Sequence, residues 1–89
     1  MANKFDAVAV KFKCLSDPTR LQILHFLLEG EKCVGDVAAH VNTTQANVSK
    51  HLSLLKASGL VSARKQGMHV FYSVVGDKVQ RLCDLMCKE

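Results

Sequence analysis

Four cysteines are the most reactive side chains of this 89-residue sequence, and two of them, Cys83 and Cys87, stand four positions apart. On a helix that spacing puts both thiols on one face. Two thiolates one turn apart can hold a single soft ion, because sulfur ligands select soft metals. A trivalent metalloid such as arsenite wants a third thiolate, and Cys14 and Cys33 are the other thiols of the chain. The same residues also suit apolar core positions, since a thiol packs as a small hydrophobe. Four cysteines are too sparse for a disulfide-stapled secreted scaffold, so they are expected to be reduced. His25, His40, His51 and His69 show no ligand spacing with carboxylates, and His25, inside the apolar run "LQILHFLL", reads as a core residue. No nucleophile sits beside a base, and there is neither a phosphate-cradling glycine loop nor a pair of carboxylates in a plausible pocket; the chain does not read as an enzyme.

The second chemical feature is charge. The sequence has 12 Lys and Arg against 8 Asp and Glu, a formal net charge of +4. Between Asp36 and Asp77 there is no carboxylate, while Lys50, Lys56, Arg64 and Lys65 all fall there. A one-signed face on a folded domain suits a polyanion, although a plain solvated surface has the same composition. Apolar residues make up 48% of the chain, which indicates a globular protein, and the length allows one domain, residues 1–89. So small a core gains from a partner chain. No apolar run approaches the roughly 18 residues that a membrane span needs, and "MANKFDAVAV" is not a secretory signal, so a cytoplasmic protein with no membrane partner is expected.

The elements that must position these groups follow from periodicity. Residues 4 to 15 read as a helix with Phe5, Val8, Phe12 and Leu15 on one stripe and Ala7, Val10 and Cys14 on the other side. One side faces the core and the other is open to a second chain. Ser16 or Asp17 caps a second helix with Pro18 in its first turn, an apolar set of Leu21, Leu24, Phe26, Leu27 and Leu28, and Gly30 at its end. Residues 33 to 41 form a short helix burying Val34, Val37 and Val41, and "NTTQ" turns into a fourth helix, 44 to 57, with Val48, Leu52 and Leu55 inward. The period then changes to two strands around a turn at Gln66-Gly67, followed by a last helix over 77 to 88 with Val79, Leu82, Cys83 and Met86 as its seam. The order α-α-α-α-β-β-α, mainly α with a β-hairpin, is winged helix–turn–helix architecture.

At this level "LSDPTRLQIL", "VSKHLSLLKASGLV" and "RKQGMHVFYSV" strongly resemble the ArsR/SmtB family of bacterial repressors over about residues 10 to 76. The resemblance implies a homodimer, paired through the first and last helices, that binds operator DNA and lets go when an effector binds. Many such proteins sense metal or metalloid ions, and others sense persulfides or oxidants.

In a helix–turn–helix the second helix enters the major groove. With Val48, Leu52 and Leu55 inward, the opposite face carries Ala46, Ser49 and Lys50, with Gln45 at its flank. Gln45 suits adenine, Lys50 guanine or phosphate, and Ala46 a thymine methyl, whereas Thr44 and Ser49 can donate to phosphate oxygens. Many relatives have Ser in place of Ala46. His51 reads as a packing residue. The hairpin would be the wing, with Arg64, Lys65 and Gln66 along the backbone or in the minor groove. A symmetric dimer would then recognise an imperfectly palindromic operator in double-stranded DNA.

"EKCVGDVAAH" resembles the family's arsenic-sensing segment, which has cysteines at the first, third and sixth positions of the short helix. Only the first is kept, as Cys33; Gly35 and Ala38 replace the others, so that site does not carry over. The family's carboxylate–histidine zinc site on the last helix has no match either. The expected sensor is therefore Cys33, Cys83 and Cys87, with Cys14 on the outer face of the first helix, which in the family packs on the partner's last helix. DNA binding itself is expected to need no cofactor, and the expected effector is As(III) or another soft ion. Redox or reactive-sulfur sensing by the same thiols, and a winged helix used only for protein contacts, are the alternatives.

Overall fold

In the computed structural model, which describes residues 3–87, the chain forms α1 (Lys4–Leu15), α2 (Pro18–Leu27), β1 (Lys32–Cys33), α3 (Val34–Val41), α4 (Gln45–Ala57), β2 (Val61–Gln66), β3 (His69–Val74) and α5 (Lys78–Met86). The expected order is present, with one addition. The pair Lys32–Cys33 is a strand antiparallel to β3, so the hairpin is part of a three-stranded sheet in the order β1-β3-β2. A two-residue strand leaves no periodicity to read, and Cys33 becomes the N-cap residue of α3 rather than its first turn. The last residue of the expected 77–88 helix lies outside the described residues.

Local signals account for the element ends. The Asn3 side chain accepts from the backbone N–H groups of Phe5 and Asp6, and Asp6 accepts from Asn3 N–H, a reciprocal cap on α1. Asp17 Oδ2 accepts from Arg20 N–H at 2.9 Å and caps α2, with Pro18 following it. Asn42 takes the left-handed conformation (φ 57°) that reverses the chain after α3. At the end of α4 the Leu60 N–H bonds back to the Leu55 carbonyl across Gly59 (φ 80°), while Leu60 itself is buried.

The core lies where α2, α3, α4 and the inner sheet face meet. Ile23, Leu24, Val37, Val48, Leu52 and Leu55 are at most 1% exposed. Tyr72 and Val74 pack against this cluster from the sheet. The expected inner face of α4 is borne out in full. Two assignments on α2 are corrected: Ile23 is wholly buried and Leu21 is 48% exposed, because the stripe that α2 turns to the core contains Ile23, Leu24 and Leu27. His25, expected in the core, is also exposed. On α1 only Cys14 is buried and Leu15 packs on the core, while Phe5, Val8, Val10 and Phe12 are all exposed. Cys14 therefore faces its own core, not outward as expected. On α5, Val79 is buried but Leu85 and Met86 are 77% and 79% exposed. The first and last helices thus leave much apolar surface uncovered.

Candidate nucleic-acid interface

α4 begins where the Thr44 hydroxyl accepts from Asn47 N–H at 3.1 Å, while Asn47 Nδ2 donates to Thr43 Oγ1. As acceptor in that cap, the Thr44 hydroxyl keeps its own proton for an outside oxygen. With Val48, Leu52 and Leu55 sealed, the solvent side of the helix presents Gln45, Ala46, Ser49 and Lys50, every one exposed. No acidic side chain occurs on α4. α3 lies beneath the first turn of α4, close enough that a Cβ built on Gly35 would sit 3.6 Å from Gln45 Nε2. The pair forms the helix–turn–helix, and its outer surface is open.

The wing comes from β2 and β3. Gln66 pairs with His69, so the turn residues are Gly67 and Met68, one position later than expected. Gly67 has φ 62° and Met68 has negative φ, the pattern of a tight hairpin turn with glycine first. Arg64, Lys65 and Gln66 are exposed, as is Met68 at the tip.

Register explains which residues meet on this sheet. Cross-strand partners share a face, as do residues two apart on one strand. Cys33 pairs with Phe71, and Phe71 pairs with Arg64. Ser62, Arg64 and Gln66 on β2, His69, Phe71 and Ser73 on β3, and Cys33 on β1 therefore lie on the outer face. Ser62 and Ser73 hydroxyls are 3.2 Å apart there, and the Arg64 guanidinium lies 5.1 Å from the Phe71 ring centre. From just before β1, Glu31 reaches across to Arg64. Arg64 Nε donates to Glu31 Oε2 at 2.7 Å and Nη2 to Oε1 at 2.6 Å, and Nη1 donates to Gln66 Oε1 at 2.7 Å. The Arg64 hydrogen bond holds the Glu31 carboxyl below its ordinary range, and the Glu31 bond raises Arg64. Sequence spacing hid this pair, since Glu31 precedes the acid-free stretch and folds back onto it. Arg64 is thus a compensated cation, whereas neither Lys50 nor Lys65 forms an ion pair among the described residues.

His51 is half-buried, its Nδ1 3.2 Å from Arg20 Nη1. Arg20 Nε donates to the Cys14 carbonyl at 2.7 Å, so this arginine ties the end of α1 to α4. His51 accordingly packs against Arg20, as expected of a packing residue.

The expected thiol set is not assembled within one chain. Cys33 is half-buried at the start of α3, with its Sγ donating to Asp36 Oδ2 at 3.3 Å. Cys83 and Cys87 lie one turn apart on α5 and both line a cavity of about 410 Å³ beneath that helix, walled by Phe12, Leu24, His25 and Leu82. Cys33 does not line it. Among the described residues no three His, Cys, Asp or Glu side chains are grouped so as to hold a metal ion. A pyramidal three-thiolate site for As(III) therefore does not fit the side chains of a single protomer. Nor is any helix among the described residues long and apolar enough to cross a membrane.

A buried three-helix centre, an open second helix after a tight turn, and a hairpin beside it define a winged helix–turn–helix domain. The description "bacterial regulatory protein, arsR family" matches residues 17–63, and the chain belongs to that family of DNA-binding transcription regulators. It is 40% identical over 84 residues to an uncharacterised HTH-type transcriptional regulator of Methanocaldococcus jannaschii, covering 93% of this chain and 94% of that protein. To the cadmium resistance transcriptional regulatory protein CadC homolog of Staphylococcus aureus it is 46% identical over 78 residues, 86% of this chain but only 64% of that longer protein. The solution structure of a homodimeric winged helix–turn–helix DNA-binding domain from Mycobacterium bovis superposes with a TM-score of 0.86 at 35% identity, covering 98% of this chain and 87% of that one.

Proposed function

We propose that the chain is a single winged-helix domain that works as a homodimeric transcriptional repressor. It places α4 of each copy in successive major grooves of an imperfectly palindromic operator, with the two wings on the flanking backbone. The observation that carries this reading is the division of α4. Its inner residues Val48, Leu52 and Leu55 are wholly buried, while Gln45, Ala46, Ser49 and Lys50 form an exposed face free of acid. Gln45, Lys50 and Ala46 reach base edges, Thr44 and Ser49 fix phosphates, and Arg64, Lys65 and Gln66 follow the backbone beside the wing. The exposed apolar residues of α1 and α5 pair the two copies, and the homodimeric state of the Mycobacterium bovis domain supports this.

The effector in this reading is thiol-reactive: a soft metal or metalloid ion, As(III) among them, taken up at Cys83 and Cys87. The shared cavity wall and one-turn spacing of these residues support it, as does the cadmium resistance relative. Two thiols in one wall suit an ion of low coordination number. A three-thiolate ion would need a further donor, and Cys33, on another element, is not placed to give it within the same chain. Cys33 instead stands on the wing's sheet, where a reactive-sulfur species or oxidant would act close to Arg64.

The test has two parts. Changing Lys50 or Arg64 to Glu should abolish retention of DNA in a gel-shift assay while the dimer stays folded; unchanged binding removes these residues from the interface. Titrating the reduced dimer on DNA with arsenite, cadmium, zinc, persulfide and peroxide, and repeating it with each cysteine changed to serine, identifies the effector. Release that survives every serine variant would dismiss the thiol sensor.

A further inference from the structure

The Glu31–Arg64 pair bears on how the wing reads DNA. A guanidinium has five N–H groups in a planar fork. Three are committed: Nε–H and one Nη2–H to the two oxygens of Glu31, and one Nη1–H to Gln66 Oε1. One N–H on each terminal nitrogen is left for an outside acceptor, on a side chain that is 53% exposed. The guanidinium carbon lies 5.1 Å from the centre of the Phe71 ring, whose backbone is held between β1 and β2. A long, flexible arginine is thereby fixed before DNA arrives, which removes ordering entropy from the binding step. Its charge is at the same time matched by Glu31.

We propose that Glu31 is a positioning residue for DNA binding: it fixes the direction of the Arg64 fork and cancels its charge, so that Arg64 contributes selectivity to the wing, and Lys50 and Lys65 contribute the salt-dependent affinity. This rests on the DNA-binding reading above. Neutralised phosphates release counterions and steepen the salt dependence of binding by about 0.9 in log–log slope each. An arginine already paired to a carboxylate adds little to that slope. Freed from the carboxylate, it becomes an ordinary mobile cation that attracts any duplex.

The experiment uses the full-length dimer and two 30-base-pair duplexes. One is selected by the wild-type protein from a random-sequence pool, and the other is a scrambled duplex of the same composition. Fluorescence anisotropy is recorded from low to moderate salt. Glu31→Gln, nearly isosteric, should tighten binding to the scrambled duplex and steepen its slope by about 1.8 for the two wings of a dimer. It should also lower the selected-to-scrambled affinity ratio by about tenfold, the size of one well-aimed contact. Glu31→Asp keeps the charge but is one methylene too short for the fork, so the ratio should fall with the slope unchanged. Wild-type slope and ratio in both variants overturn the proposal. The Arg64 Nε–H resonance of the free wild-type dimer is a readout that needs no substitution: slow exchange with solvent is expected, and exchange as fast as that of a solvated arginine overturns the pairing. Lys50→Glu separates the two levels. If it spares binding, the placement of α4 in the groove fails; if wild type itself binds neither duplex, the DNA-binding reading fails; if Lys50→Glu abolishes binding while Arg64→Gln and Glu31→Gln leave ratio and slope untouched, only the role of Glu31 fails.

Discussion

Replacing Lys50 by Met keeps most of the side chain's bulk and helix propensity while removing its charge. Lys50 is on the exposed face of α4 with Val48 and Leu52 buried beside it, so the change touches no core contact. A dimer carries the residue twice, once in each groove. If each lysine neutralises one phosphate, the log–log salt slope should become shallower by about 1.8. The loss in affinity then depends on salt: about 60-fold at 0.1 M, about 200-fold at 0.05 M, and little near 1 M. At 0.1 M this is about 2.4 kcal/mol for the dimer. Anisotropy titrations at four or five salt concentrations measure both slope and intercept. A uniform loss with an unaltered slope would mean that Lys50 reads a base edge without releasing counterions. Unaltered affinity and slope in a folded dimer would refute the placement of α4 in the groove.

Three other outcomes are expected. Leu52→Ala, at a position with no exposed surface, should lower unfolding free energy by about 2–5 kcal/mol in denaturant titrations at fixed protein concentration, with loss of DNA binding in proportion to unfolding. Phe5→Glu combined with Phe12→Glu alters side chains 69% and 58% exposed in one chain; sedimentation should show monomers that keep native circular dichroism, and a dimer that survives would move the interface off α1. On acidification, Asp17 is held below its ordinary value of 3.8, first by the Arg20 backbone N–H, and Glu31 below 4.5, first by the Arg64 side chain. A depressed carboxylate stabilises the folded state above its unfolded value, and that share is lost as pH falls through the lower folded value. Urea midpoints should therefore be flat down to about pH 5 and fall below it, with a smaller fall in Asp17→Asn and Glu31→Gln.

The α4 signal was legible because it is local. Val48, Leu52 and Leu55 recur at helical spacing, the cap at Thr44 is a threonine before a helical run, and Gly59 marks the end, so inner and outer faces follow from the order of residues. The hairpin was legible from alternation, although its turn fell one residue later, since either Gln66 or Met68 can flank Gly67 and only cross-strand pairing decides which. The errors on α1 and α2 have another origin. Cys14 and Leu21 belong to helices apolar on more than one side, and periodicity alone does not say which stripe a neighbour will cover. α2 turns Ile23 and Leu24 into the core, leaving Leu21 and His25 outside.

By itself the sequence determined the element order, the family and the polarity of the recognition helix, because each depends on residues within a turn or two of one another. Tertiary structure alone decided that Lys32–Cys33 joins the sheet, that Glu31 and Arg64, 33 positions apart, form a bidentate pair, and that Cys33 stands apart from the two thiols on α5. Such pairings depend on strand register and helix docking, which bring distant residues to hydrogen-bond distance and leave no periodic trace along the chain.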